Sequence, residues 1–226
     1  MKKKVGVITA ILFLMIGVIL LLFPYYTKKE NGKVQNGLLE QYENLIAANK
    51  EKTSKKLPTP EPQKDNMDYT IADFVEDHTS KDTKAIIDRQ QIIGKITCDK
   101  IGIEYIVVEG ADRDNIRATI GHIKGTAGLG GKGNCVLAGH RGGYYGTFFK
   151  NIDQLTKGDV VVVTDLYNRN YYYEVYEQQV VEADALWICE PVEGKNTLTL
   201  LSCEDHGTKR RIVRCQLKNS IDRLEN

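Results

Sequence analysis

The chain has almost no surplus of charge: 31 Lys and Arg stand against 30 Asp and Glu in 226 residues, a formal net charge of +1. Nucleic-acid binding draws its affinity from clustered, uncompensated cations, so that partner class is excluded. Its five cysteines include no C-x-x-C pair, which removes a zinc ribbon or a thioredoxin-like redox motif. Wholesale disorder is excluded too, because 42% of the residues are apolar and 27% charged, ordinary values for a folded domain. No small-x-small cleavage site follows the one long apolar run, and no cysteine lies near its end. A cleaved signal peptide and a lipid-modified cysteine therefore both fit poorly.

That apolar run comes first among the features present. Met1-Lys2-Lys3-Lys4 precedes the uncharged stretch Val5–Phe23, then come Pro24-Tyr25-Tyr26 and Lys28-Lys29. As a helix the stretch is roughly 28 Å long, close to the ~30 Å hydrocarbon core of a bilayer. The leading lysines favour an N-terminus inside the cell. Residues 1–27 are thus expected to form a single-pass membrane anchor, with the rest of the chain extracellular.

Residues 28–85 read as a stalk. Leu38, Leu39, Tyr42, Leu45 and Ile46 have helical spacing and predict one short amphipathic helix. Lys55–Gln63 holds three prolines and predicts an extended spacer, and Ile71–Val75 with Ala85–Asp88 suggest a further helix. From Ile92 the texture changes to short β-branched runs separated by turn residues. Strands are expected at 92–98, 104–109, 134–138, 160–164, 171–182, 197–202 and 210–217, with Asp112 capping a brief helix and a second short helix over 147–155. Seven or eight strands in about 135 residues predict a mainly β, closed barrel over residues 86–226.

Four of the cysteines, Cys98, Cys135, Cys189 and Cys215, lie in or beside apolar stretches and read as buried small hydrophobes. Cys203 differs, because it ends the strand T197-L-T-L-L-S-C203 and is followed at once by Glu204-Asp205-His206-Gly207. A thiol at a strand mouth is placed for partial exposure, and the nearby Arg210 and Arg211 favour its nucleophilic thiolate. Among the four histidines, His140 ends the glycine-flanked strand V136-L-A-G-H140-R141 and is the best partner as general acid or base. His122 is its rival, His78 reads as solvated, and His206 lies three residues from Cys203. Acyl transfer also needs a donor for the developing oxyanion, and either Arg210 or Arg211 can serve. The lone C-x-x-H spacing has no second pair, so no metal is called for.

These residues together resemble the sortases. Thr199-Leu200-Leu201-Ser202-Cys203 is similar to their T-L-x-T-C motif, with Ser202 in place of Thr. V136-L-A-G-H140-R141 resembles their histidine strand, and K209-R210-R211-I-V-R214-C resembles their final strand. The resemblance covers about residues 90–218 and implies Cys203 as nucleophile, His140 as general acid/base, and Arg210 in preference to Arg211 as substrate and oxyanion donor. His122, Ser202 and Thr199 become supporting residues. The implied reaction cleaves an LPXTG-like signal between Thr and Gly through a thioester. The acyl group then passes to an amine of a peptidoglycan precursor or a pilin, or to water. A Gram-positive cell surface is implied as well. The lack of an apolar segment after Leu217 and the short 183–196 loop point to class D or class A. Some class A relatives bind Ca²⁺, and Asp112, Asp114, Glu204 and Asp205 are acidic, but the reading claims no cofactor. Two rivals are an L,D-transpeptidase-like enzyme, whose signature sets His-Gly before the Cys, and a non-catalytic stalked β-domain.

Overall fold

A computed structural model describes residues 2–52, 91–142, 147–204 and 207–222, with most side chains described from Ile11 to Lys218. Among these residues eight strands close a barrel: β1 (Ile92–Cys98), β2 (Ile103–Glu109), β3 (Ile120–His122), β4 (Asn134–Ala138), β5 (Val160–Asp165), β6 (Arg169–Glu182), β7 (Thr197–Glu204) and β8 (Lys209–Asp222). Their order around the barrel is β1-β2-β3-β4-β7-β8-β6-β5. The β2–β3 and β4–β7 pairs are parallel.

Strand alternation sorts the side chains into two packing layers. Leu137, Leu198, Leu200 and Val213 point into the barrel and join Phe149 and Tyr173 in its interior. Val136, Ala138, Leu201 and Ile212, on the same strands, point outward and are covered by Ile116, Ile188 and Cys189. β7 is therefore buried on both faces until its last two residues.

Asp112 caps helix α2 (Arg113–Ala118) as its position suggests, its Oδ1 accepting from the N–H groups of Asp114 and Asn115 at 3.1 and 3.0 Å. Residues 147–155 depart from expectation. They form a turn and a three-residue 3-10 helix, Ile152–Gln154, rather than a short α-helix. The Phe149 N–H goes to the carbonyl of His140 at 2.9 Å, so it is not available to a helical ladder. β3 escapes sequence periodicity because three residues are too few to show one.

The larger departure is at the N-terminus, where one continuous helix, α1 (Lys2–Lys52), runs through the expected boundary at residue 27. Val34, Leu38, Tyr42 and Ile46 form an i, i+4 stripe buried against Ile92, Ile106, Val108 and Ala118. Leu39 and Leu45 lie off that stripe and stay exposed. Gln35 Nε2 donates to the Ala118 carbonyl, and Asn49 Nδ2 to the Leu166 carbonyl at 3.0 Å. Each docked side chain contributes roughly 1.5–3 kcal/mol of apolar burial before ordering costs. The segment read as a spacer is thus, over 34–49, a helix seated on the barrel. The proline-rich stretch, the 71–88 helix and His78 lie outside the described residues.

Among the described residues no helix is long and apolar enough to cross a membrane. The described apolar side chains run from Ile11 to Phe23, about 20 Å of helix.

Candidate active site

Cys203 is half-buried at the end of β7, where Leu200 and Leu201 before it are fully covered. Across the antiparallel β7–β8 ladder its Cα partner is Arg210, and Leu201 pairs with Ile212. On the other flank, Ala138 of β4 pairs with Leu201 in parallel, and the Gly139 N–H donates to the Leu201 carbonyl at 3.0 Å. His140 stands two residues beyond Ala138, as Cys203 stands two beyond Leu201. Alternation puts Cys203 and Arg210 on one outward face of β7 and β8, and His140 follows two residues after the end of the neighbouring strand β4. Their floor is the outer apolar layer of Ala138, Leu201 and Ile212.

Gly139 is needed to seat this histidine. A Cβ there would lie 2.7 Å from Ile120 Cδ1 and 2.9 Å from the Phe149 ring, so only glycine lets β4 pass so closely over the core. Arg210 Nη1 donates to the carbonyls of Gly207 and Lys209 at 2.7 and 3.0 Å, which ties its guanidinium to the β7–β8 turn. Arg211 takes the other parity. Its Nε donates to Glu204 Oε2 at 2.7 Å and its Nη1 to Gln178 Oε1 at 2.8 Å.

Comparison with known proteins shows the family. The family model for the sortase domain matches residues 96–218. The chain belongs to the sortase family. It is similar to Sortase A of Bacillus anthracis, 27% identical over 215 residues that cover 94% of each protein. It is also similar to Sortase D of Bacillus subtilis, 31% identical over 113 residues, which is 50% of this chain and 54% of that one. Among solved structures, a Clostridium perfringens Sortase D5 transpeptidase matches with a TM-score of 0.60 and 25% identity, covering 83% of this chain and 99% of that chain. Sortase C1 of Streptococcus agalactiae matches at 0.53 and 29%, over 62% of this chain and 71% of that chain. This sortase is a cysteine transpeptidase with a mainly β, closed eight-stranded barrel, which displaces the L,D-transpeptidase-like and non-catalytic readings.

The remaining site candidates of this sortase fall away from the Cys203 face. His122 is buried in β3, with Nδ1 3.0 Å from Glu109 Oε2 and Nε2 3.0 Å from the Ala127 carbonyl. Both ring nitrogens face acceptors, which suits the doubly protonated ring. Burial opposes that charge, but hydrogen bonds to Cys135 and Glu109 outweigh it and carry the imidazole up to about 10. His122 is thus a wall element joining β2 to β3. Ser202 is buried, and its hydroxyl has no hydrogen-bond partner among the described residues. His206 and Asp205 lie outside the described residues.

Thr199 has a structural partner that the motif does not announce. The Thr197 and Thr199 hydroxyls donate to Asn134 Oδ1 at 3.0 and 2.8 Å. Asn134 Nδ2 in turn donates to the carbonyls of Ile188 and Glu190 at 2.8 and 3.1 Å. This buried amide clamps the β6–β7 connection, with its 3-10 helix Leu186–Cys189, onto the strands beside Cys203. A polar residue heading the apolar strand N134-C-V-L-A138 was the available signal.

All five cysteines are free, and only Cys203 is not buried. Burial pushes the Cys98 thiol up, Cys189 to about 11, and Cys215 higher still. Of the acidic residues weighed for Ca²⁺, Asp112 caps α2 and Glu204 binds two guanidinium groups.

Proposed function

We propose that this sortase cleaves an LPXTG-like sorting signal between Thr and Gly, with Cys203 as nucleophile, His140 as general acid/base and Arg210 as the cation facing the developing oxyanion. The observation that supports this reading is the pairing of Cys203 with Arg210 at a half-exposed strand end, with His140 two residues past the end of the neighbouring strand. Attack of the thiolate on the Thr carbonyl gives a thioester, and the leaving amine takes its proton from His140. An incoming amine then loses a proton to His140 and resolves the thioester. Peptidoglycan precursor or a pilin lysine supplies that amine, and water gives hydrolysis. Class D or class A suits the chain, since relatives bearing both names match it.

In the same reading the enzyme is a single-pass protein of the cell membrane, N-terminus inside and barrel outside. Support comes from the exposed apolar surface of α1, where Phe13 is 74% and Leu21 78% exposed. Surface of that kind on a soluble protein calls for a covering phase, and lipid is one. Residues 1–27 form the anchor, 28–85 the connection and 86–226 the catalytic domain in this reading.

The test incubates the full chain in detergent with a panel of LPXTG-type peptides, with and without an added amine. Mass spectrometry is expected to find cleavage between Thr and Gly and an amine-capped product, both lost in Cys203→Ala. Failure of the folded chain to cleave any peptide would overturn the substrate assignment.

A further inference from the structure

The residues directly after His140, Cys203 and Arg210 are Arg141, Glu204 and Arg211, and all three meet at one atom. Arg141 Nη1 and Arg211 Nε each donate to Glu204 Oε2 at 2.7 Å. Arg141 Nη2 also reaches Asp153 Oδ2 at 3.0 Å. Arg211 Nη1 donates to Gln178 Oε1 at 2.8 Å, and the Gln178 amide donates to the Leu155 carbonyl at 2.9 Å. The cluster therefore links the ends of β4, β7 and β8 to β6 and to the segment beneath it. Two guanidinium groups and two carboxylates balance its charge.

Where this network sits explains what it is for. The β4 ladder ends at Ala138, two residues short of His140, while β7 ends at Glu204 and β8 begins at Lys209. The β4–β7 register thus stops short of His140, whereas the β7–β8 ladder continues through Cys203–Arg210 to Glu204–Lys209, so side chains are what join the end of β4 to that pair. Adjacent strand residues point to opposite faces, so the Glu204–Arg211 pair at the centre of the network has the opposite parity to Cys203 and Arg210. The side chains of Arg141, Glu204 and Arg211 are 18–25% exposed, so water and salt screen them less than a surface pair.

We propose that Glu204 is a positioning residue for transpeptidation, fixing the spacing of His140, Cys203 and Arg210 by holding Arg141 and Arg211 to a single carboxylate. The inference rests on the roles given to those three residues above.

The test compares the full chain with Glu204→Ala, Glu204→Gln, Arg141→Met and the double variant Arg141→Met/Glu204→Ala. Lys100→Met is the control, because it removes only the surface contacts of Lys100 with Asp159 and the Thr156 hydroxyl, away from this network. Glu204→Ala is expected to lower kcat roughly 10- to 100-fold with KM changed less than about twofold, the pattern of misplaced reacting groups. Glu204→Gln, which keeps an acceptor, recovers part of the loss. Arg141→Met costs less in the Glu204→Ala background than alone, and Lys100→Met matches wild type. An unchanged kcat in Glu204→Ala, or a loss confined to KM, overturns the proposal. If the wild-type chain turns over no peptide, the functional reading fails by itself, and amide exchange then decides the positioning claim. Faster exchange at 139–142 and 208–212 in Glu204→Ala supports the network, and unchanged exchange refutes it.

Discussion

Cys203 and Arg210 are Cα partners across the β7–β8 ladder, whereas Arg211 pairs with Ser202. One residue of register thus decides which arginine shares a face with the thiol.

Arg210→Ala is expected to lower kcat/KM about 10²–10³-fold, the scale of losing an oxyanion donor. Arg211→Ala costs less and acts through Glu204, so restoring charge with Arg211→Lys recovers much of the rate, while Arg210→Lys recovers little. Steady-state kinetics on one peptide checks both. A larger loss at Arg211 than at Arg210 would reverse the assignment.

Thiol titration gives a second expectation. In native protein one thiol, Cys203, reacts promptly with a disulfide reagent, because the other four are buried and burial disfavours the thiolate of Cys98, Cys189 and Cys215. Four more react after denaturation. Two or more fast thiols in the folded chain would contradict this packing.

The sequence made the barrel and the half-exposed Cys203 legible for a physical reason. Strand ends with abrupt polarity changes, such as L201-S-C203-E204, advertise both the element and the exposure of its last residue. Asp112 announced the α2 cap because a cap is a local interaction. The β4–β7 neighbourhood was invisible, since a parallel pair brings 138 and 201 together across most of the domain. The docking of α1 was only half legible. Leu38, Tyr42 and Ile46 showed helical spacing, but spacing alone does not say what covers a stripe. Glu204 stood out in the sequence only as one of several acidic residues, because its partners Arg141 and Arg211 come from two other strand ends.

His122 should leave a mark on stability against pH. Its folded pKa is raised to about 10 from an ordinary 6.5, so its contribution is complete below about pH 6.5 and is lost as pH rises through about 10. The folded state holds the extra proton in that window, so stability falls with rising pH. Denaturant midpoints from pH 6 to 10.5 are expected to decline more steeply for wild type than for His122→Gln. Parallel curves would show that the imidazole is neutral.

Helix α1 gives a further test. Leu38 is fully buried and Leu39 is exposed one residue later. Leu38→Ala is expected to destabilise the docked helix by about 2–5 kcal/mol and to speed amide exchange over 34–49, while Leu39→Ala changes neither by more than about 0.5 kcal/mol. Equal effects at the two positions would mean that α1 does not seat on the barrel by this stripe.

The most direct measurement is the intact mass of the full chain quenched during turnover of an LPXTG-type peptide. The expected result is an adduct equal to the peptide's N-terminal part through Thr, mapped to Cys203, cleared by an added amine and absent in Cys203→Ala. Turnover with no adduct on Cys203, or an adduct that persists in Cys203→Ala, would contradict it.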